Sequence, residues 1–431
     1  RYFVDETFFK EGAPVFLHIG GEGRNDGQGI ERGQLAEHYA PRFNALLLSL
    51  EHRFYGESRP TKNLSVLNLK YLSSQQALAD ISAFIKHYKE IIDPRTKSSK
   101  WIVFGCSYAG SLAAWMRLKY PKQVIGAVSS SGPVQAELNF KQYLDVISKA
   151  IGPDCASNVR KATKQLYLLI KDKNQWTRIK NKLHLCENFD GNNPKDVSTL
   201  FLLLVENFED IVQYNMNNRN IRKTPLAKIS TKTICEMMAN ESLGTEFDRY
   251  AAVNELVLET NKKQCLQFTY ENMTKLLREI NYDRVVVVNS VLGDRRWFYQ
   301  TCNEFGFFQS TDSQNQPFGH FFPIEYFLDI CPEIFGKKFD AEFVKKNVKF
   351  TNDYYGGKKI NVSNVIFVQG SADPWHVLGV TNYTFSTSKA ILIDGASHCS
   401  DTHSDSINDT PQLRAARKEI SDYISFILEY F

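Results

Sequence analysis

No apolar run in this 431-residue chain approaches the roughly 20 residues that a helix needs to cross a bilayer; the longest are strand-sized. Surplus charge is also scarce. The 52 Lys and Arg against 48 Asp and Glu leave a net +4 with no block of like charge, so neither nucleic acid nor a membrane is an expected partner. The eight cysteines include no C-x-x-C pair, which argues against a zinc site or a thioredoxin-type motif. No metal or organic cofactor is expected. Internal repeats and low-complexity tracts are absent, and the sequence opens at Arg1 without a signal-peptide pattern, which suggests a mature or a trimmed form.

What is present points to a folded protein of the secretory pathway. Hydrophobic content of 43% and charged content of 23% are those of a globular chain, and the length suits two or three domains. Six N-x-S/T sequons, at Asn63, Asn240, Asn272, Asn361, Asn382 and Asn408, accompany the even, widely spread cysteines. Glycans and disulfides, in a secreted or lysosomal setting, are the expectation.

The chain is organised around Trp101–Tyr120. An apolar run ends at Gly105, Ser107 falls at a sharp turn, and helical spacing follows. Gly105-Cys106-Ser107-Tyr108-Ala109 is a variant of the G-x-S-x-G elbow, in which small neighbours let strand and helix approach while the serine hydroxyl projects. Val15–Ile19, Ala45–Leu50, Val124–Val128, Asn364–Val368 and Lys389–Ile393 read as further buried strands, and Ser73 with Gln76 as a capping box opening a helix to about Tyr88. Between Phe140 and Tyr214 the spacing is helical, with Ala156–Leu185 as one long stretch; Arg284–Val288 is a β-branched run without evident role. The expected architecture is an α/β fold with a mostly parallel, doubly wound sheet over 1–134 and 349–431, interrupted by a mainly helical segment over 135–348.

A neutral serine needs a base, and the base needs a carboxylate to fix its tautomer. Asp373 and His398 each follow a predicted strand, at the sheet end where Ser107 lies. Their order, Ser…Asp…His, is that of α/β-hydrolases. His376 is too near Asp373 in sequence, and His403 lies beyond the strand end. The Tyr108 N–H is the first expected oxyanion donor, and the glycine-rich loop Gly20-Gly21 the source of the second. Glu22 reads either as a charge for a substrate amine or as a partner for a loop arginine such as Arg53.

With these residues in place, the sequence resembles the prolyl carboxypeptidase and dipeptidyl peptidase 2 family of serine peptidases (family S28), nearest the thymus-specific serine protease branch. The matching stretches are Gly20-Gly21-Glu22-Gly23, Leu50–Pro60, Tyr71–Asp80, the elbow, Tyr299–Gln309, Asp373-Pro374-Trp375 and Gly395-Ala396-Ser397-His398. The resemblance implies an α/β-hydrolase domain with a helical cap, a Ser107–Asp373–His398 triad, and peptide cleavage, often after proline. It implies Trp375 and Phe307 as apolar S1 walls and the bridges Cys155–Cys235, Cys186–Cys265 and Cys302–Cys331. Cys106 and Cys399 remain, beside the serine and the histidine; they are expected to bridge the two loops, with two buried thiols as the alternative.

Departures from the family pattern bear on substrate. Ala109 stands for glycine, and Ser111 for a methionine, so that Ser111 is expected to enlarge or polarise S1 and relax proline preference. Cys399 and His403 replace a histidine and an arginine. The expected activity is that of a serine peptidase on short or unfolded peptides, more an exopeptidase than an endopeptidase. A carboxylesterase and a catalytically silent peptide-binding glycoprotein are the alternatives. Peptides are the expected partners, with a second copy of the chain left open.

Overall fold

Uninterrupted Val, Leu, Ile and Phe runs bury both faces of a strand, and such strands pair in parallel under helices on either side. The computed structural model, which describes residues 1–215, 229–289, 291–383 and 386–431, divides into two compact units, 1–136 with 347–431 and 137–346.

The first unit is built on a seven-stranded sheet in the order β1-β3-β2-β4-β5-β8-β9. These strands are β1 (Tyr2–Asp5), β2 (Val15–Ile19), β3 (Leu46–Leu50), β4 (Trp101–Cys106), β5 (Gly126–Ser130), β8 (Val365–Gly370) and β9 (Lys389–Ile393). Every pairing is parallel except that of the edge strand β1 with β3. One face packs Phe16, Ile102, Phe104, Val128, Ile366, Val368 and Ile393 against Leu413, Ile420, Ile424 and Ile427 of the closing helix Pro411–Tyr430. The helix Tyr108–Lys119 is buried from Tyr108 to Met116, and its Trp115 stacks on Tyr355 with ring centroids 3.9 Å apart. This is the α/β-hydrolase arrangement, with strand-end loops gathered where parallel strands finish. β1 escaped the sequence reading because it is only four residues long and carries apolar side chains on both faces, Tyr2 and Val4 on one and Phe3 on the other, so no alternation marks it.

The second unit is mainly helical and holds the bridges Cys155–Cys235, Cys186–Cys265 and Cys302–Cys331. Its short strands β6 (Glu137–Asn139) and β7 (Gly306–Phe308) pair in parallel. The periodic stretch 156–185 is two helices, Pro153–Ile170 and Trp176–Lys182. Asp172 restarts the backbone by accepting from the Asn174 N–H, and the Trp176 indole donates to the Ile170 carbonyl at 2.8 Å, satisfying the end of the first helix. Arg284–Val288 pairs in no sheet: Asn281 caps a 3₁₀ turn over Tyr282–Arg284, and the Val288 N–H closes a tight loop onto the Gly293 carbonyl.

Glu209, in the helix Pro194–Gln213, is buried with neither carboxylate oxygen partnered among the described residues. Burial, and then the nearby charges of Glu206 and Asp210, hold its carboxyl well above the usual range. A raised folded pKa contributes stability below the unfolded value that is lost as pH rises through the folded one. Glu209→Met should therefore stabilise the protein at pH 7.5 by about 1–3 kcal/mol, with a gain that shrinks towards pH 4. Urea unfolding of both proteins at several pH values checks this; an unchanged or lowered midpoint at pH 7.5 refutes it.

Candidate active site

Ser107 stands between β4 and the helix it feeds, at φ 61 and ψ −132. A left-handed φ at a residue with a side chain costs about 1–3 kcal/mol and persists only where the surroundings enforce it. Here they do. The Ser107 N–H donates to the Ser130 carbonyl on β5 at 2.9 Å, and the Ser107 carbonyl accepts from Gly110 and Ser111. A methyl group on Gly105 would lie 2.0 Å from the Ala109 carbonyl oxygen, and one on Gly110 would lie 2.6 Å from that of Ser130. Both positions are thus closed to any side chain without moving backbone. Ala109 is tolerated because its methyl faces Gly21, whose missing Cβ would sit at an ordinary 3.6 Å.

Asp373 and His398 follow β8 and β9. The Asp373 side chain is fully buried; its Oδ1 accepts from the Trp375 N–H at 3.0 Å, and its Oδ2 lies 2.8 Å from His398 Nδ1. A carboxylate can only accept there, so Nδ1 carries the proton and Nε2 of the neutral ring carries the lone pair. Cys106, preceding Ser107, is bridged to Cys399, following His398, across 293 residues. The two sulfurs and a His398 ring nitrogen all lie within 4.8 Å of one another. Bonded to each other, the sulfurs are not thiolates and offer no soft metal ligands.

The surrounding loop is set by two buried residues of Glu51-His52-Arg53. Glu51 accepts from the Asn25, Glu57 and Ser58 N–H groups and from the Ser58 hydroxyl. His52 Nδ1 donates to the Arg53 carbonyl at 2.7 Å, which leaves Nε2 to accept from the Tyr108 hydroxyl at 3.1 Å. Burial pushes the His52 pKa down to about 4, keeping the ring neutral in that role. The first residue after the nucleophile is thereby anchored by its side chain.

Several expectations are corrected. The Gly20 N–H is committed to the Leu50 carbonyl at 2.8 Å, as an extension of the sheet, so it is not an oxyanion donor; Gly21, beside the first turn of the elbow helix, remains. Ser111 is buried and its hydroxyl donates to the Pro133 carbonyl at 3.0 Å, so it does not polarise a pocket. Arg53 grips Asp80 through two 2.6 Å bonds and also binds Gln76 and the Tyr71 carbonyl; Glu22 keeps both readings, a charge for a substrate amine or a partner for a loop arginine. Trp375 is half-buried in the 3₁₀ turn Pro374–Leu378 that follows Asp373. Phe307 lies in β7 of the helical unit, buried, at φ 61, and stacked with Phe305 and Trp297. Among the sequons, Asn240, Asn361, Asn382 and Asn408 are exposed, although Thr384 of the Asn382 triplet lies outside the described residues. Asn63 and Asn272 are half-buried, and the Asn272 amide donates to Glu187 at 2.6 Å.

Sequence reasoning missed the polar layer behind these groups: Ser130, Ser131, Asp401 and Arg417. The Ser129-Ser130-Ser131 string at the end of β5 was its one signal, since a buried parallel strand rarely ends in three hydroxyls without using them.

The chain is similar to known proteins over nearly its whole length. The family described as Serine carboxypeptidase S28 matches residues 1–420. The human thymus-specific serine protease is 35% identical over 97% of this chain and 81% of its own. Bovine lysosomal Pro-X carboxypeptidase is 28% identical over 97% and 81%. Among solved structures, the proline iminopeptidase of Mycobacterium smegmatis is matched with a TM-score of 0.35 at 10% identity, over 99% of this chain and 93% of its own.

Proposed function

We propose that this chain, which belongs to the serine carboxypeptidase S28 family, cleaves short peptides, often after proline, through an acyl-enzyme on Ser107. The observation that carries the reading is the buried His398–Asp373 pair, tied by the Cys106–Cys399 bridge to the residue before Ser107.

In this mechanism His398 Nε2 takes the Ser107 proton as Oγ attacks the scissile carbonyl carbon. Asp373 holds the ring and stabilises the imidazolium that forms. The N–H groups of Tyr108 and Gly21 receive the oxyanion. The imidazolium then protonates the leaving amine, and water, deprotonated by the same Nε2, hydrolyses the ester and restores Ser107. Activity requires neutral His398 and so declines as acid protonates it.

Trp375, on the turn that starts at Asp373, offers a flat apolar surface suited to a proline ring. Pro-X cleavage in the name of one relative supports the same preference, and its lysosomal label, with four disulfides in this chain, supports a secretory or lysosomal location. Their exposure supports glycans at Asn240, Asn361, Asn382 and Asn408.

The test is a fluorophosphonate probe followed by a proline-containing peptide library with products located by mass. Labelling at Ser107 and removal of residues from one end of a peptide are expected. Labelling without any peptide cleavage would favour an esterase, and no labelling a silent binder.

A further inference from the structure

Asp401, three residues after His398 in the 3₁₀ turn Ser400–Thr402, is buried and takes no part in the mechanism above. Its surroundings join the two halves of the candidate site. Asp401 Oδ2 accepts from the Ser130 hydroxyl at 2.5 Å, and the Ser130 carbonyl accepts the Ser107 N–H. Next along β5, the Ser131 hydroxyl accepts the Cys399 N–H at 2.9 Å. Two serines at one strand end thus hold the nucleophile's backbone on one side and the histidine loop on the other.

The charged neighbours of Asp401 come from every element around it. Arg417 of the closing helix binds the main-chain carbonyls of Asp401 and Ser400 through Nε and Nη2, while its Nη1 is taken by Asp405 and Asp409. The Tyr39 phenol faces Asp401 from the turn Leu35–Tyr39, and His398 from its own loop. Arg417 thus reaches Asp401 through its main-chain carbonyl, while the guanidinium is also drawn to the Asp405 and Asp409 carboxylates.

We propose that Asp401 is a positioning residue of the hydrolytic site, locking the His398 loop to the Ser107 strand end through Ser130 and stabilising protonated His398 by its charge. The inference rests on the assignment of Ser107 and His398 above. Asp401 acts through these groups and does not touch substrate.

Burial raises the Asp401 pKa to about 6, against the lowering influence of the Ser130 hydrogen bond, Arg417 and His398. Asp401 therefore gains or loses its charge within the pH range over which the acid limb of activity is read. Two substitutions separate the contributions. Asp401→Asn keeps a polar partner for Ser130 but removes a negative charge that favours a protonated catalytic base, and the acid limb of kcat/KM moves to lower pH by about 0.5–1 unit. The plateau of kcat falls about 3–10-fold, as less charge supports the imidazolium formed in the transition state, with KM little changed. Ser130→Ala retains the carbonyl that holds Ser107 but removes the donor that favours ionised Asp401, so the limb moves to higher pH.

Both profiles are measured on the full chain with a fluorogenic proline peptide, beside the pH dependence of fluorophosphonate labelling. Opposite displacements in the two variants are expected. A uniform loss at every pH, with the limb in place, is the mark of a purely structural role and overturns the inference. Absence of Ser107 labelling in the unsubstituted chain overturns the triad assignment itself, and the inference with it.

Discussion

Ser107→Ala should lower kcat/KM on any peptide by a factor of about 10⁴–10⁶, with a folded protein left behind. The substitution removes one oxygen atom. The strained turn is held by backbone bonds from Ser107 to Ser130, Gly110 and Ser111 and by the close approach of Gly105 and Gly110 to neighbouring carbonyls. None of these uses the hydroxyl. The stability change should accordingly stay within about 1 kcal/mol, which thermal unfolding measures alongside turnover. Because nucleophile and base act as one unit, adding His398→Ala to Ser107→Ala should cost almost nothing more. A Ser107→Ala protein that still turns over peptide at more than a hundredth of the original rate would remove Ser107 from the mechanism.

Asp373→Asn should cost about 10⁴ in kcat with little change in KM. Both carboxylate oxygens accept hydrogen bonds, one from the Trp375 N–H and the other from His398 Nδ1–H. An amide has one oxygen to offer two donors. If it serves Trp375, the amide NH₂ faces Nδ1 and drives the imidazole to the tautomer protonated on Nε2, which cannot accept the Ser107 proton. If it serves His398, the NH₂ meets the Trp375 N–H, two donors in a fully buried place. Either outcome impairs the base, the first by chemistry and the second by displacement. Rates in the steady state and circular dichroism on the same samples distinguish lost chemistry from lost fold; unchanged kcat would exclude Asp373 as the orienting group.

The parts of this site legible in the sequence are those whose chemistry is local. Ser107 is betrayed by the small residues its turn requires, and Asp373 and His398 by their places just after apolar strands. The supporting layer is long-range. Ser130 and Asp401 lie 271 residues apart, and neither carries a local pattern that specifies the other. Gly20 illustrates the complementary error: a glycine pair suggests a donor loop, but which N–H is already used depends on a pairing with Leu50 that only the folded sheet reveals. Ser111 is similar, since a hydroxyl on a buried helix face is polar only until it finds a carbonyl. In the fold, strongly apolar strands and the closing helix were readable, whereas the edge strand β1 and the helix break after Ile170 were not. The first is four residues long with apolar side chains on both faces and so shows no alternation; the second depends on side chains bonding to backbone.

The Cys106–Cys399 bridge also governs what a cut in the chain would do. Its two ends lie on either side of the whole helical segment and enclose Ser107 and Asp373 within the covalent loop. A single break anywhere between Ser107 and His398 therefore yields two polypeptides that remain one molecule under oxidising conditions. On a gel such a form would run as the intact chain until a reductant is added, and then as two fragments, one beginning upstream of the elbow and one ending at the closing helix. Any such cut would leave the strand end before Ser107 and the loop after His398 covalently linked.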